Sequence, residues 1–168
     1  MKKLVAIAVI LTGFAVSQSF GQGASTTGPV TLKVNAGLSV ALENSGLSFG
    51  THLKGDAVTV SDLTSSSAAY FSIGGQASTP VTVTLSDDNS MNLKNGSNLI
   101  PWSMTFAYSN NSAPAQTNAT DVTSGGSPFT YSLNTSGVMD VWVGGSLTVP
   151  SGAVTGQYSD NVDISVTY

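Results

Sequence analysis

The chain has 168 residues, with five lysines, no arginine, nine acidic residues, one histidine and no cysteine, and its formal net charge is −4. Neutralising phosphates needs clustered basic side chains, so this composition excludes nucleic acids and anionic membrane surfaces as partners. Without cysteine there are no disulfides, and stability must come from packing and backbone pairing.

The first 21 residues have the pattern of a secretory signal peptide. Lys2 and Lys3 form a basic start, residues 4–16 are nearly all apolar, and Ser19 and Gly21 are small residues before a cleavage site. The apolar run is too short for a permanent membrane anchor. We therefore expect export through the periplasm to the cell surface or an extracellular fibre, without stable membrane insertion. The remaining length, about 147 residues, suits one domain.

After the leader, residues 22–28 are rich in Gly, Ser and Thr, and a long alternating stretch follows. Seven even positions in a row are apolar: Val30, Leu32, Val34, Ala36, Leu38, Val40 and Leu42. Period-2 alternation predicts a strand with one apolar face. Gly37 interrupts it and predicts a hinge between two shorter strands.

Short strands separated by turn residues are predicted along the rest of the chain. They are residues 47–49, 57–60, 70–73, 81–85, 102–108, 129–133, 139–143, 147–149 and 162–168. Gly144-Gly145 and Asn95-Gly96 are among the predicted turns. No window outside the leader has helical periodicity, so the fold is predicted to be all-β, a sandwich or a barrel. The polar residues 109–127 are predicted to form a long loop whose role stays open.

Few residues suggest chemistry. His52 is the single histidine and is expected on the surface, which leaves no basis for a paired-histidine metal site. Asp87, Asp88 and Asn89 are interpreted as an Asx turn in preference to a calcium site. Asp160 and Asp163 are interpreted as solvated charges beside the last strand. No cofactor, metal site or catalytic centre is predicted, and we do not expect an enzyme.

Four side chains alternate on one face of the strand predicted over residues 102–108: Trp102, Met104, Phe106 and Tyr108. Three of them, Trp102, Phe106 and Tyr108, are together with Trp142 the candidates for a sugar-stacking platform. A row of this kind is more typical of a sandwich core, and we favour that interpretation.

Two motifs carry a resemblance to a known family. The last third of the chain contains GGSLTV at 144–149 and GQYSDNVDISVTY at 156–168, and Leu47-Ser48-Phe49-Gly50 follows the first alternating stretch. The chain resembles archaic chaperone–usher pilins and the related secreted domains similar to spore coat protein U. Archaic pilins usually have a disulfide near their start, so a cysteine-free branch is indicated.

The resemblance implies an incomplete immunoglobulin-like β-sandwich of the pilin type, open along one edge. It implies residues 1–21 as signal peptide, 22–36 as an N-terminal donor-strand extension and 37–168 as the sandwich. Filling of the open edge by a donor strand from another subunit is a known recognition mode. The chain stops within an alternating strand, which fits this mechanism. The expected donor residues are Val30, Leu32, Val34 and Ala36. The expected acceptor residues are Leu38, Val40, Leu42, Val162, Ile164, Val166 and Tyr168.

The function implied is that of a structural subunit of a surface fibre, a pilus or fimbria, supporting adhesion or biofilm formation. Its partners would be other copies of itself, with a periplasmic chaperone and an outer-membrane usher as the assembly machinery. The alternative is a secreted binding module that inserts its own N-terminal strand and binds a surface or carbohydrate.

Overall fold

The computed structural model describes residues 37–168, so the predicted signal peptide and donor residues lie outside the described residues. Ten strands occur in the described part of the chain, with 3-10 helices at Gln116–Asn118 and Thr123–Gly125. The strands are β1 (Ser39–Leu42), β2 (Ala57–Val60), β3 (Ala69–Gly74), β4 (Pro80–Asp87), β5 (Asn92–Asn95), β6 (Asn98–Ser109), β7 (Thr120–Asp121), β8 (Phe129–Ser132), β9 (Val138–Thr148) and β10 (Val162–Thr167).

The strands form two sheets that pack face to face. The larger sheet has the order β1-β3-β9-β6-β5, with β2 pairing on β9 and β7 pairing on β6. The smaller sheet has the order β10-β4-β8. All of these strand pairs are antiparallel. The all-β sandwich predicted from the alternating pattern is therefore confirmed.

The sheets pack because alternate side chains of the central strands point into the space between them and are apolar. Val81 and Val83 of β4 and Val141 and Val143 of β9 are completely buried, and they belong to one core cluster between the sheets. Phe106 of β6 stacks on Phe129 of β8, with ring centroids 5.6 Å apart, so an aromatic pair joins the two sheets. The aromatic row of β6 is core, as predicted.

Gly144 and Gly145 do not form the predicted turn, because β9 runs through them without a break. The strand β3 pairs with β9 up to Val143, and β2 pairs with it from Gly145 onward. A Cβ atom at Gly144 would collide with the carbonyl oxygen of Val60, and one at Gly145 would lie 2.5 Å from the carbonyl oxygen of Ser103. These glycines therefore allow close backbone approach within the sheet.

Two further predictions need correction. Residues 47–49 form a loop and belong to no strand. The side chains of Leu47 and Phe49 nevertheless pack on the core. The segment predicted as a long loop, residues 109–127, contains two 3-10 helices and β7. Its Val122 is buried in the core, and the amide nitrogen of Val122 donates to the carbonyl oxygen of Phe106 at 3.1 Å.

Candidate functional site: the seam between β1 and β10

The strands β1 and β10 are the last strands on one side of their sheets. Among residues 37–168, β1 pairs with β3 alone and β10 pairs with β4 alone. The two strands lie close to each other. We call the strip between them, bounded by Leu38, Val40 and Leu42 and by Val162, Ile164 and Val166, the seam.

The β1 wall of the seam is apolar and poorly covered. Leu38 packs against the main core cluster, and alternation directs Val40 and Leu42 to the same face of the strand. Val40 is nevertheless 38 % exposed and Leu42 is 51 % exposed. Val40 and Leu42 therefore lie on the core-facing side of β1, and no described residue covers them fully.

The β10 wall is the counterpart on the smaller sheet. Val162, Ile164 and Val166 are half-buried and pack against the core, whereas Asp163 and Ser165 between them are exposed. Ile164 lies opposite Leu85 of β4 in the strand register. The apolar side chains of β10 thus rest on the core along one flank and remain accessible along the other.

The seam is closed at the end where β1 begins. A Cβ atom placed on Gly75 would lie 2.8 Å from Leu38 Cδ2 and 3.0 Å from the Tyr168 hydroxyl, so these two side chains converge over this glycine. The hydroxyl oxygen of Tyr168 accepts a hydrogen bond from the amide nitrogen of Gln76 at 2.9 Å. Because Gly75 has no side chain, Leu38 at the start of the β1 wall and Tyr168 just after β10 can approach each other there.

At the opposite end the seam opens into a cleft of about 1430 Å³. We use the name cleft for this space, which is lined by residues of the 45–54 loop and the 153–163 segment together with Leu42, Ala69, Phe71, Leu93, Ile100, Trp102, Leu147 and Val149. Leu42 and Val162 line both the cleft and the seam. The two form one continuous opening on this side of the sandwich.

The two sequence motifs that resemble the archaic pilins both line the cleft. Phe49 of the first motif packs edge-on against Trp102, with ring centroids 5.9 Å apart. In the second motif, the Tyr158 hydroxyl donates to the carbonyl oxygen of Val154 at 3.0 Å. The motifs therefore stabilise the loops that shape the open end.

Asp160 has a structural role that the sequence did not reveal. Its Oδ2 accepts a hydrogen bond from Trp102 Nε1 at 3.3 Å, and its Oδ1 accepts one from the Asn89 amide. The interpretation of Asp160 as a solvated charge was wrong, because this half-buried carboxylate ties the 153–163 segment to a core tryptophan. Asp163 is exposed on β10, as expected.

The remaining chemical candidates form no site in the described part of the chain. His52 is exposed, and its Nδ1 lies 3.7 Å from Asp56 Oδ2. Asp87 accepts a hydrogen bond from the amide nitrogen of Asn89 at 3.0 Å, which is the predicted Asx turn. Within residues 37–168 no group of three or more His, Cys, Asp or Glu residues is placed to hold a metal ion, and none of the helices there spans a membrane.

Every residue predicted as acceptor lies along the seam: three on or beside β1, three on β10, and Tyr168 at the closed end. Their role as an acceptor stays a prediction. The predicted donor residues, Val30, Leu32, Val34 and Ala36, lie outside the described residues. The cleft beyond Leu42 was not predicted, although the two motifs that line it are visible in the sequence.

Fold and site together define an all-β sandwich with a long apolar opening between two edge strands. The chain belongs to the family described as a domain of unknown function, DUF4402, which matches residues 19–168. None of the curated proteins compared matches the chain. Membership among the archaic pilins stays a prediction.

The chain is also similar to a solved structure, the CsuC–CsuE chaperone–tip adhesion subunit pre-assembly complex from the archaic chaperone–usher Csu pili of Acinetobacter baumannii. The sequence identity is 18 %, the TM-score is 0.43, and the similarity covers 78 % of this chain. It covers 40 % of the chain in that complex.

Proposed function

We propose that this protein is a structural subunit of a bacterial surface fibre, a pilus or fimbria that supports adhesion or biofilm formation. In this proposal residues 22–36 of one copy fill the seam of the next copy. The observation that carries the proposal is the half-exposed apolar row on β10, next to a strand edge that has no partner among the described residues.

The geometry suits a strand as the occupant. Among residues 37–168, the outer edges of β1 and β10 pair with no strand, and an added strand satisfies the backbone groups of such edges through main-chain hydrogen bonds. The predicted donor, residues 30–36, has seven residues, and β10 has six. The donor therefore has the length needed to pair along the whole of β10.

The energetics favour occupation of the seam. Burying the four predicted donor side chains, Val30, Leu32, Val34 and Ala36, contributes on the order of 5 to 10 kcal/mol before ordering costs. Exposed strand edges also promote aggregation. A subunit with an empty seam therefore needs temporary cover during export, and a periplasmic chaperone that lends a strand is the partner we propose for this step.

Deleting residues 22–36 tests the proposal. We expect the truncated chain to be exported without forming SDS-resistant ladders, because it has no donor, and to bind an added peptide of residues 22–36. Normal ladders from the truncated chain would reject the donor role. A sharp monomer from the intact chain under native conditions would support the alternative, a self-inserted binding module.

A matched pair of substitutions tests whether the apolar face of the predicted donor strand is the face that inserts into the seam. Leu32→Lys puts a charge on the predicted apolar face, whereas Thr31→Lys puts the same charge on the predicted polar face. We expect Leu32→Lys to abolish assembly and Thr31→Lys to retain it, since burying an unpaired charge is costly. Equal assembly by the two variants would contradict insertion of this face.

A further inference from the structure

The rim of the cleft exposes large apolar side chains from three separate segments. Leu53 is 78 % exposed, Val154 is 51 % exposed and Leu42 is 51 % exposed. Leu53 and Val154 belong to the two loops that form the cleft walls, and Leu42 is the last residue of β1. Exposed apolar side chains gathered around one opening are typical of an interaction surface.

The opposite end of the seam has a different surface. Near Gly75 one large aromatic side chain is exposed, Tyr168 at 46 %, and the other exposed residues there include the small or polar Ala77, Ser78, Thr135 and Ser136. We call this end the closed pole. The two ends therefore differ in the apolar area that a neighbouring protein would bury.

A short connection limits where the body of the donor copy can lie. Only Gly37 and Leu38 separate the predicted donor, residues 30–36, from the start of β1 at Ser39. Residue 36 and Ser39 are three residues apart along the chain, so they lie at most about 11 Å from each other. If the donor of one copy fills the seam of the next, the body of the donor copy must lie next to the seam end where residue 36 emerges.

We propose, resting on the proposed strand exchange, that the cleft of one copy receives the body of the neighbouring copy, which docks with its closed pole over Leu42, Leu53 and Val154. Residue 36 then emerges beside Val162, and the donor runs antiparallel to β10. This orientation is antiparallel to β10 and parallel to β1, because β1 begins where β10 ends, and it places the neighbouring body at the end of the seam with the exposed apolar rim.

This contact joins different surfaces, the cleft on one copy and the closed pole on the next. Such a heterologous contact is not closed in a dimer, because the cleft of one of the two copies stays unoccupied. It therefore repeats in one direction and adds a rigid contact to each strand-exchange joint.

Paired cysteines test the orientation, because the natural chain contains none. Asn35→Cys is on the polar face of the donor, and the exposed partners on β10 are Asp163→Cys near the cleft and Thr167→Cys near the closed pole. Neighbouring strands lie about 4.8 Å apart, which is within disulfide reach. In fibres of the full chain we expect N35C/D163C to form intermolecular disulfides and N35C/T167C to form none.

The outcomes separate the two proposals. Disulfides in N35C/T167C alone, or equal yields in both variants, would overturn docking at the cleft and leave strand exchange intact. Fibres without disulfides in either variant would overturn both proposals. The single variant N35C controls for chance oxidation.

A second measurement addresses the cleft surface itself. Leu53→Ser and Val154→Ser remove exposed apolar side chains at the rim, and Leu99→Ser is the matched control, since Leu99 is 50 % exposed and does not line the cleft. We expect fibres of the L53S/V154S variant to release monomers in SDS at a lower temperature than fibres of L99S. Equal release temperatures would overturn the role of the cleft.

Discussion

The strand edges away from the seam receive hydrogen bonds from neighbouring segments, whereas the outer edges of β1 and β10 have no strand partner among residues 37–168. The backbone of Lys94 in β5 exchanges two hydrogen bonds with Ser159, at 2.8 and 3.0 Å. The strand β7 pairs along the end of β6, and the carbonyl oxygen of Ser132 in β8 accepts a hydrogen bond from the Asn110 side chain at 2.8 Å. Neither β1 nor β10 has such cover among the described residues.

Hydrogen bonds from neighbouring segments thus protect some strand edges of this sandwich and not others. Covered edges keep a sandwich from pairing with other chains, and open edges invite such pairing. The covered side also has the aromatic contact between the sheets, while the seam has aliphatic side chains that are only half-buried. The covered side therefore stabilises the subunit, and the seam is the side to which our proposal assigns the added strand.

Truncating the aromatic contact on the covered side should have the largest effect. Phe106→Ala removes a ring that is 5 % exposed and stacks on Phe129 across the two sheets. We expect the free energy of unfolding to fall by about 3–5 kcal/mol, measured by urea denaturation. Leu99→Ala on the same strand, half-exposed, should cost less than about 0.5 kcal/mol. Similar losses for the two variants would contradict the assignment of the core to this side.

A substitution in the seam should weaken strand binding more than folding. In a chain that starts at residue 37, Ile164→Ala should reduce the affinity for a peptide of residues 22–36 about tenfold, because the added strand would complete the burial of Ile164. Titration calorimetry measures this difference. Ser165→Ala, on the exposed face of β10, is the control. An unchanged affinity in Ile164→Ala would contradict the role of this wall.

Alternation predicted the strands well where a strand has one apolar face. The predicted and observed bounds of β2 are the same, and both walls of the seam are visible as even-numbered apolar rows. The four-residue β5 was missed, because its sequence, NLKN, has a single apolar residue. Gly144 and Gly145 were misinterpreted since a glycine pair predicts a turn just as well as a close approach of strands.

The site was predictable only in part, because burial depends on which elements cover a strand. The alternating pattern of β10 does not reveal whether its apolar face is enclosed or half-open. The role of Asp160 depends on Trp102, a partner 58 residues away in the chain. The cleft is lined largely by two loops that are far apart in sequence, and no local pattern predicts that they come together.

The smallest expected effect concerns a carboxyl group on the covered side. Asp62 is 7 % exposed, its Oδ1 accepts a hydrogen bond from the Thr105 hydroxyl at 3.2 Å, and its Oδ2 has no hydrogen-bond partner among the described residues. Burial raises the pKa of Asp62 above its ordinary value of 3.8, and the negative charge of Asp121 acts in the same direction. The folded state therefore binds this proton more tightly than the unfolded state does.

Because the pKa of Asp62 is raised, its protonation favours the folded state at low pH, and this stabilisation is lost as the pH rises through the folded-state pKa. We expect Asp62→Asn to raise the free energy of unfolding at pH 7 by up to about 1 kcal/mol, and the gain to vanish below pH 3.8. Urea denaturation at several pH values measures this difference. A loss of stability in Asp62→Asn at pH 7 would contradict this prediction. It would mean that the ionised carboxylate of Asp62 stabilises the folded state through a polar partner on the covered side.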